Sequence, residues 1–317
     1  MDEGPVGYFG NTDFDWYRHL LALSAEKGPL EEVNFWQPGG AHDFRALRPG
    51  EPFLFKLKKP HYAVCGFGFF ARASRVPVSL AWEAFGELNG TATAEAFRER
   101  LRRLRPGGLA PGEDPDVGCL MISEPVFLGE RDWVPQPRDW SRNIVSGKRY
   151  ALASGEGRRV WEACRGLSTR SAGVELDRGT AAAEERFGAP HLVRPRLGQG
   201  TFRVAVTDAY GRSCAVTGEH SLPVLEAAHI RPYAMKGTHE LANGLCLRSD
   251  IHRLFDRGYV TVDPGMRFRV SPRLRKDWGN GRSYEALDGR EIRAPERAEE
   301  RPDRELLAWH EGTVFRR

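Results

Sequence analysis

A chain of 317 residues, 40% hydrophobic and 28% charged, is long enough for two ordinary domains that each bury a core. No run reaches the roughly 18 unbroken apolar residues of a membrane span, and the opening MDEGPVGYFGNTDFDW lacks both the basic and the apolar segment of a signal peptide. The protein is therefore expected in the cytoplasm, with no membrane partner. Its net charge of +4 is uneven, since residues 189–317 hold 22 Lys and Arg against 17 Asp and Glu, an excess that suits contact with a polyanion.

In chain order, residues 1–150 read as one mixed α/β unit. Trp16–Lys27 spaces its apolar residues as a helix does. Short apolar runs at Val33–Trp36, Pro52–Leu57, Ala63–Phe70 and Cys119–Phe127, bounded by Gly, Pro or charged turns, read as strands of a small barrel. Thr93–Leu104 opens on a good cap and keeps helical spacing, whereas Arg105–Gly118 reads as a loop. Residues 151–195 read as a connector with helical pieces at Arg158–Leu167 and Thr180–Phe187, and residues 196–317 as a further domain. The five cysteines (Cys65, Cys119, Cys164, Cys214 and Cys246) never stand at C-x-x-C spacing, which argues against a disulfide framework or a zinc knot.

The densest chemistry lies in CAVTGEHSLPVLEAAHIRPYAMKGTHELANGLCLRSDIHRLFDRGYVTVDP, from Cys214. Val224–Ile230 reads as a strand carrying His229, and Asn243–Leu247 as a second strand. Ser249 is a good N-cap and Asp250 suits the dipole of a helix Asp250–Phe255 that carries His252. The order strand, strand, helix, bearing His, Asn and His, suits phosphodiester hydrolysis. A neutral His can take the proton of an attacking water, a divalent ion can stabilise charge on phosphate and leaving oxygen, an Asn carbonyl can orient the base or join the metal shell, and the helix His can bind the metal.

This segment resembles the HNH (ββα-metal) endonucleases, in the subgroup reading AAHI-x-P, then H, NGL-x-L and D-x-H-x-LFD-x-G. The likeness spans roughly Arg196 to Pro264, with the later WHEGTVF similar to the subgroup's C-terminal end. It implies a metal-dependent DNA endonuclease using Mg or Mn, with His229 as general base, Asn243 as orienting residue and metal ligand, and His252 as metal ligand. Many HNH enzymes carry Asp just before the base; here Ala228 stands there, so Glu226, a backbone carbonyl or Asp250 must replace it. His239 reads as a loop residue, and Asp256 as a cap or an arginine partner. Arg196, Arg203, Arg231 and Arg253, with Arg248 and Arg257, are candidates for phosphate contact.

In the first unit, NFWQPGG and LRPGEPFLFKLKKPHYAVCGFGFF resemble the PUA superfamily, particularly its EVE and ASCH branches. That likeness implies an α+β protein in three parts: a small PUA-like β-barrel at 1–150 that reads a modified base, a helical connector, and a C-terminal ββα-metal HNH domain. Trp36 would lie at the pocket rim, Asn34 and Gln37 would offer hydrogen bonds to a base edge, and Lys56 would interleave with the aromatics. Phe53, Phe55, Phe67 and Phe69 alternate along strands and read as core. The whole reads as a modification-dependent restriction endonuclease sensing 5-methyl- or 5-hydroxymethylcytosine in double-stranded DNA, acting as a homodimer because each chain has one HNH site. The alternatives are a sequence-specific HNH restriction enzyme on unmodified DNA and a DNA-binding protein with an inactive site.

Overall fold

The computed structural model describes residues 4–39, 44–105, 107–175 and 197–317. The chain divides into two compact units, 1–196 and 197–317, of α+β structure.

The first unit is built on seven strands: β1 (Val6–Thr12), β2 (Glu32–Gln37), β3 (Pro52–Leu57), β4 (Ala63–Pro77), β5 (Asp116–Phe127), β6 (Val134–Pro135) and β7 (Gly147–Ala151). Their order is β2-β5-β4-β3-β1-β7, with β6 against β4; β1 runs parallel to β3, and the remaining pairs are antiparallel. Helices α1 (Phe14–Lys27), α2 (Val78–Phe85), α3 (Ala94–Leu104) and α4 (Gly155–Glu175) complete it. Asp13 starts α1 by accepting from the Asp15 and Trp16 amides, and Thr93 starts α3 by accepting from Ala96.

The apolar run Pro52–Phe55 of β3 has a simple cause, which is burial on both faces. Phe53, Phe55 and Leu57 share one core with Trp16, Tyr17 and Leu20 of α1, whereas Leu54 shares another with Val160 and Cys164 of α4. The expected strands are all present, and Phe53, Phe55 and Phe67 are fully buried. Three strands of this unit, β1, the two-residue β6 and β7, carried no sequence signal. Gly7, Gly10 and Asn11 interrupt β1, and β7 (GKRYA) is a polar strand at the sheet edge. The helical piece Arg158–Leu167 belongs to α4 and packs on the first unit, so it does not serve as a free connector. The piece at 180–187 lies outside the described residues.

The second unit comprises α5 (Gln199–Ala209), β8 (Leu225–His229), β9 (Gly244–Arg248), α6 (Ser249–Asp256), β10 (Val260–Val262), β11 (Phe268–Val270), α7 (Pro272–Trp278) and α8 (Arg304–Thr313), with short turns between them. β8 and β9 form an antiparallel pair whose core includes Phe202 of α5 and Ile251 and Phe255 of α6. Gly244 permits the close approach of α5, because a Cβ there would stand 2.4 Å from Val206 Cγ2. All five cysteines are buried and free. Among the described residues no helix is long and apolar enough to cross a membrane.

Candidate active site

β8 ends on His229, in register with Gly244 at the start of β9. Alternation along the strand turns Ala228 into the hydrophobic core, fully buried, and leaves Glu226 half-buried two residues earlier on the same face. α6 meets Glu226 there. His252 Nδ1 lies 2.6 Å from Glu226 Oε2, and its Nε2 lies 3.5 Å from Asp256 Oδ2 one turn along. Ala228 is therefore a core residue here, and the carboxylate that this strand brings to α6 is that of Glu226.

Asp256 corrects a sequence expectation, because it faces His252 instead of capping a helix or pairing with an arginine. Partial desolvation raises its pKa, with His252 opposing and Glu226 adding to the rise. Asp250 is the opposite case. Arg248 grips its two oxygens at 2.6 and 2.8 Å and Tyr284 donates at 2.9 Å, so the carboxyl is held down to about 2, chiefly by Arg248. That pairing removes Asp250 as a metal ligand and occupies Arg248, which had been a candidate for phosphate.

The His229 ring stacks on Phe202 with centroids 4.0 Å apart, and its Nε2 lies 2.9 Å from His239 Nδ1. His239 in turn stacks on Tyr233 at 4.9 Å. Burial, reinforced by the imidazoles of His239 and His252, holds His229 down to about 4, so the ring is neutral at neutral pH. His239, read from sequence as a loop residue, therefore belongs to the site. Its signal was the histidine that the HNH-like pattern carries between AAHI-x-P and NGL.

Asn243 is placed between the two strands. It is 1% exposed; its Oδ1 accepts from the Arg231 amide at 2.8 Å, and its Nδ2 donates to Arg231 O at 2.9 Å and Thr238 O at 2.8 Å. Its Oδ1 and both amide hydrogens are engaged with the backbone, so in this structure Asn243 clamps the loop between the strands.

The arginines divide similarly. Arg253 and Arg257 stand exposed and Arg203 half-buried, whereas Arg231 donates to Met235 O at 2.7 Å and lies 5.2 Å over the Trp309 ring. Arg196 lies outside the described residues.

In the first unit the structure rearranges the expected pocket. Trp36 donates Nε1–H to Asn89 O at 2.8 Å and packs edge-on to Phe97, so it is a packing residue and not a stacking platform. Asn34 is fully buried, giving Nδ2–H to Asn89 Oδ1 at 2.8 Å, and cannot reach a base. Gln37 is half-buried at the end of β2. Lys56 is 3% exposed, so it is no surface contact for phosphate. Its Nζ donates to Asn11 Oδ1 at 3.1 Å and sits 4.6 Å from the Trp140 ring and 5.7 Å from that of Tyr62. Burial, with Lys58 adding, lowers its pKa.

Among the described residues no three His, Cys, Asp or Glu side chains form a ready-made metal cluster. The donor chemistry nevertheless fits a hard divalent ion. His252 faces Glu226 Oε2 through Nδ1 and Asp256 Oδ2 through Nε2, and an imidazole nitrogen beside a carboxylate oxygen is a donor pair that a divalent ion can take.

Residues 214–263 match the HNH endonuclease family model, so the second unit carries an HNH endonuclease segment. Solved structures similar to the chain include that of ASCH from Zymomonas mobilis (12% identity, TM-score 0.28), which covers 51% of this chain and 96% of its own. A mutant form of that protein matches at 10% identity and TM-score 0.29, covering 48% and 94%. The modification-dependent TagI restriction endonuclease matches at 14% identity and TM-score 0.27, covering 90% of this chain and 75% of its own. No curated protein sequence matches the chain.

Proposed function

We propose that the protein is a metal-dependent DNA endonuclease of the restriction type whose N-terminal unit selects DNA carrying a modified cytosine, either 5-methyl- or 5-hydroxymethylcytosine. The observation that carries the nuclease reading is a neutral, half-buried His229 at the end of β8, braced by Phe202 and His239 within the HNH segment. In this reading the oxygen of a water forms a bond to phosphorus, the bond from phosphorus to the 3′ oxygen breaks, and His229 takes the water's proton. His252 and Asp256 would hold a divalent ion such as Mg or Mn, with Glu226 orienting His252. The ion supplies electrostatic stabilisation of charge on the phosphate and the leaving oxygen. Asn243 keeps the loop beside His229 in place, and Arg253 is exposed for phosphate contact.

In the first unit the exposed Tyr62 and the half-buried Trp140, with the Lys56 ammonium beside both rings, offer aromatic surface that an everted base could meet. Stacking and apolar contact in such a site favour an everted base over a phosphate. One HNH site per chain implies that two chains act together to cut both strands.

Digestion of matched duplexes carrying cytosine, 5-methylcytosine, 5-hydroxymethylcytosine or glucosylated cytosine, with Mg or Mn and with EDTA, tests the reading. Metal-dependent cutting of a modified duplex over the plain one is expected. Equal cutting of all four would assign a sequence-specific enzyme, and cutting of none a DNA-binding protein with an inactive site.

A further inference from the structure

Between β8 and β9 the chain makes a small rigid arm, Pro232–His239. Its turns are closed by Met235 N–H to Pro232 O at 2.8 Å, Lys236 N–H to Tyr233 O at 3.0 Å and Gly237 N–H to Pro232 O at 3.1 Å. Gly237 is required, because a Cβ there would fall 1.9 Å from Arg231 O. Asn243 clamps both ends through Arg231 and Thr238, and Arg231 donates to Met235 O from a perch over Trp309. A loop held at so many points would ordinarily turn its apolar side chains inward. This one exposes Tyr233 by 63% and Met235 by 52%, with Lys236 exposed beside them and no acidic residue along it.

The arm is also joined to the catalytic histidine. Tyr233 stacks on His239 with centroids 4.9 Å apart and planes within 9°, and His239 meets His229 at 2.9 Å between Nδ1 and Nε2. The exposed Tyr233 ring is therefore one imidazole removed from the base.

We propose that Pro232–His239 is a DNA-engaging arm that presses Tyr233 and Met235 against the duplex beside the scissile bond and, through His239, sets the imidazole of His229. The occupant is DNA because the arm pairs apolar side chains with a cation and no acid. Rings and methionine can wedge against bases while lysine meets phosphate. His239 is a positioning residue, touching the base rather than the substrate. The inference rests on the nuclease reading.

The test uses the full chain with Mg or Mn, measuring duplex affinity and, separately, the single-turnover rate at saturating DNA. The double variant Tyr233→Ala/Met235→Ala should raise Kd about tenfold or more, the loss typical of a removed stacking or wedge contact. Lys236→Glu should also raise Kd, with a weaker salt dependence. His239→Ala should instead lower the saturated rate about tenfold, the scale of a disturbed catalytic geometry, and His239→Asn should recover part of it. Wild-type Kd in both arm variants, or a wild-type saturated rate in His239→Ala, would overturn the proposal. So would an arm variant that loses self-association and keeps its DNA affinity, since the patch would then belong to a second copy of the chain. A wild type that binds duplex without cutting it would sink the nuclease reading instead, while the Kd shifts would still report on the arm.

Discussion

Glu226 and Asp250 are both half-exposed acids near the start of α6, yet they do different work. Glu226 faces His252 Nδ1 at 2.6 Å, whereas Asp250 is spent on Arg248 and Tyr284. Glu226→Gln should raise the Mg or Mn concentration needed for half-maximal cleavage by roughly 10- to 100-fold, the usual effect of losing a carboxylate that orients a ligating histidine. Asp250→Asn should leave that requirement where it is, and a metal titration of the cleavage rate separates the two. His229→Ala should slow single-turnover cleavage by roughly 10²–10⁴-fold with duplex affinity retained. A variant cutting within a few-fold of wild type would remove His229 from the role of base.

Among the elements, α8 shows how a buried histidine ties the second unit together. His310 is 2% exposed, stacks on Phe255 at 3.7 Å, gives Nε2–H to Phe255 O at 3.2 Å and meets the Thr261 hydroxyl at 2.8 Å through Nδ1. Burial holds it down to about 4, so the neutral ring is the native form. An unfolded histidine takes a proton near its ordinary 6.5, whereas the native ring refuses it until about 4. This contribution to stability is therefore full above pH 6.5 and is lost as pH falls from 6.5 through 4. His229, also held down to about 4, has the same sign. Melting temperature should drop across that window in the wild type and drop less in His310→Gln. Equal slopes would remove His310 as a source.

At the scale of the whole molecule, the first unit's aromatics sort into those that hold its core and those that face a cation. Trp36 belongs to the core side, tied to Asn89 and Phe97. Trp36→Ala should cost roughly 3 kcal/mol in denaturant unfolding and leave any preference for modified DNA in place. Loss of that preference with unchanged stability would return Trp36 to the pocket rim. Its part in packing was hidden in the sequence because its partner is 53 residues away, and a Trp beside a Pro-Gly-Gly turn looks the same whether it lines a pocket or closes one. Lys56 was hidden in the same way, since Asn11 lies 45 residues before it.

Local pattern by itself determined the strand, strand, helix order of the second unit and its two key histidines. Each depends on neighbours within a few residues: the apolar period, the turn residues and the acid at the start of α6. It also determined the strand Pro52–Leu57 and the core role of Phe53, Phe55 and Phe67, because alternation reports that a side chain is buried. Alternation is silent on what lies opposite. Only the tertiary structure decided that Glu226 meets His252, that Asn243 is a clamp and that His239 reaches the base. The same holds for the glycine-broken β1 and the polar edge strand β7, which exist because neighbouring strands hydrogen-bond to them. Backbone pairing of that kind needs no apolar period and so leaves no mark on the chain.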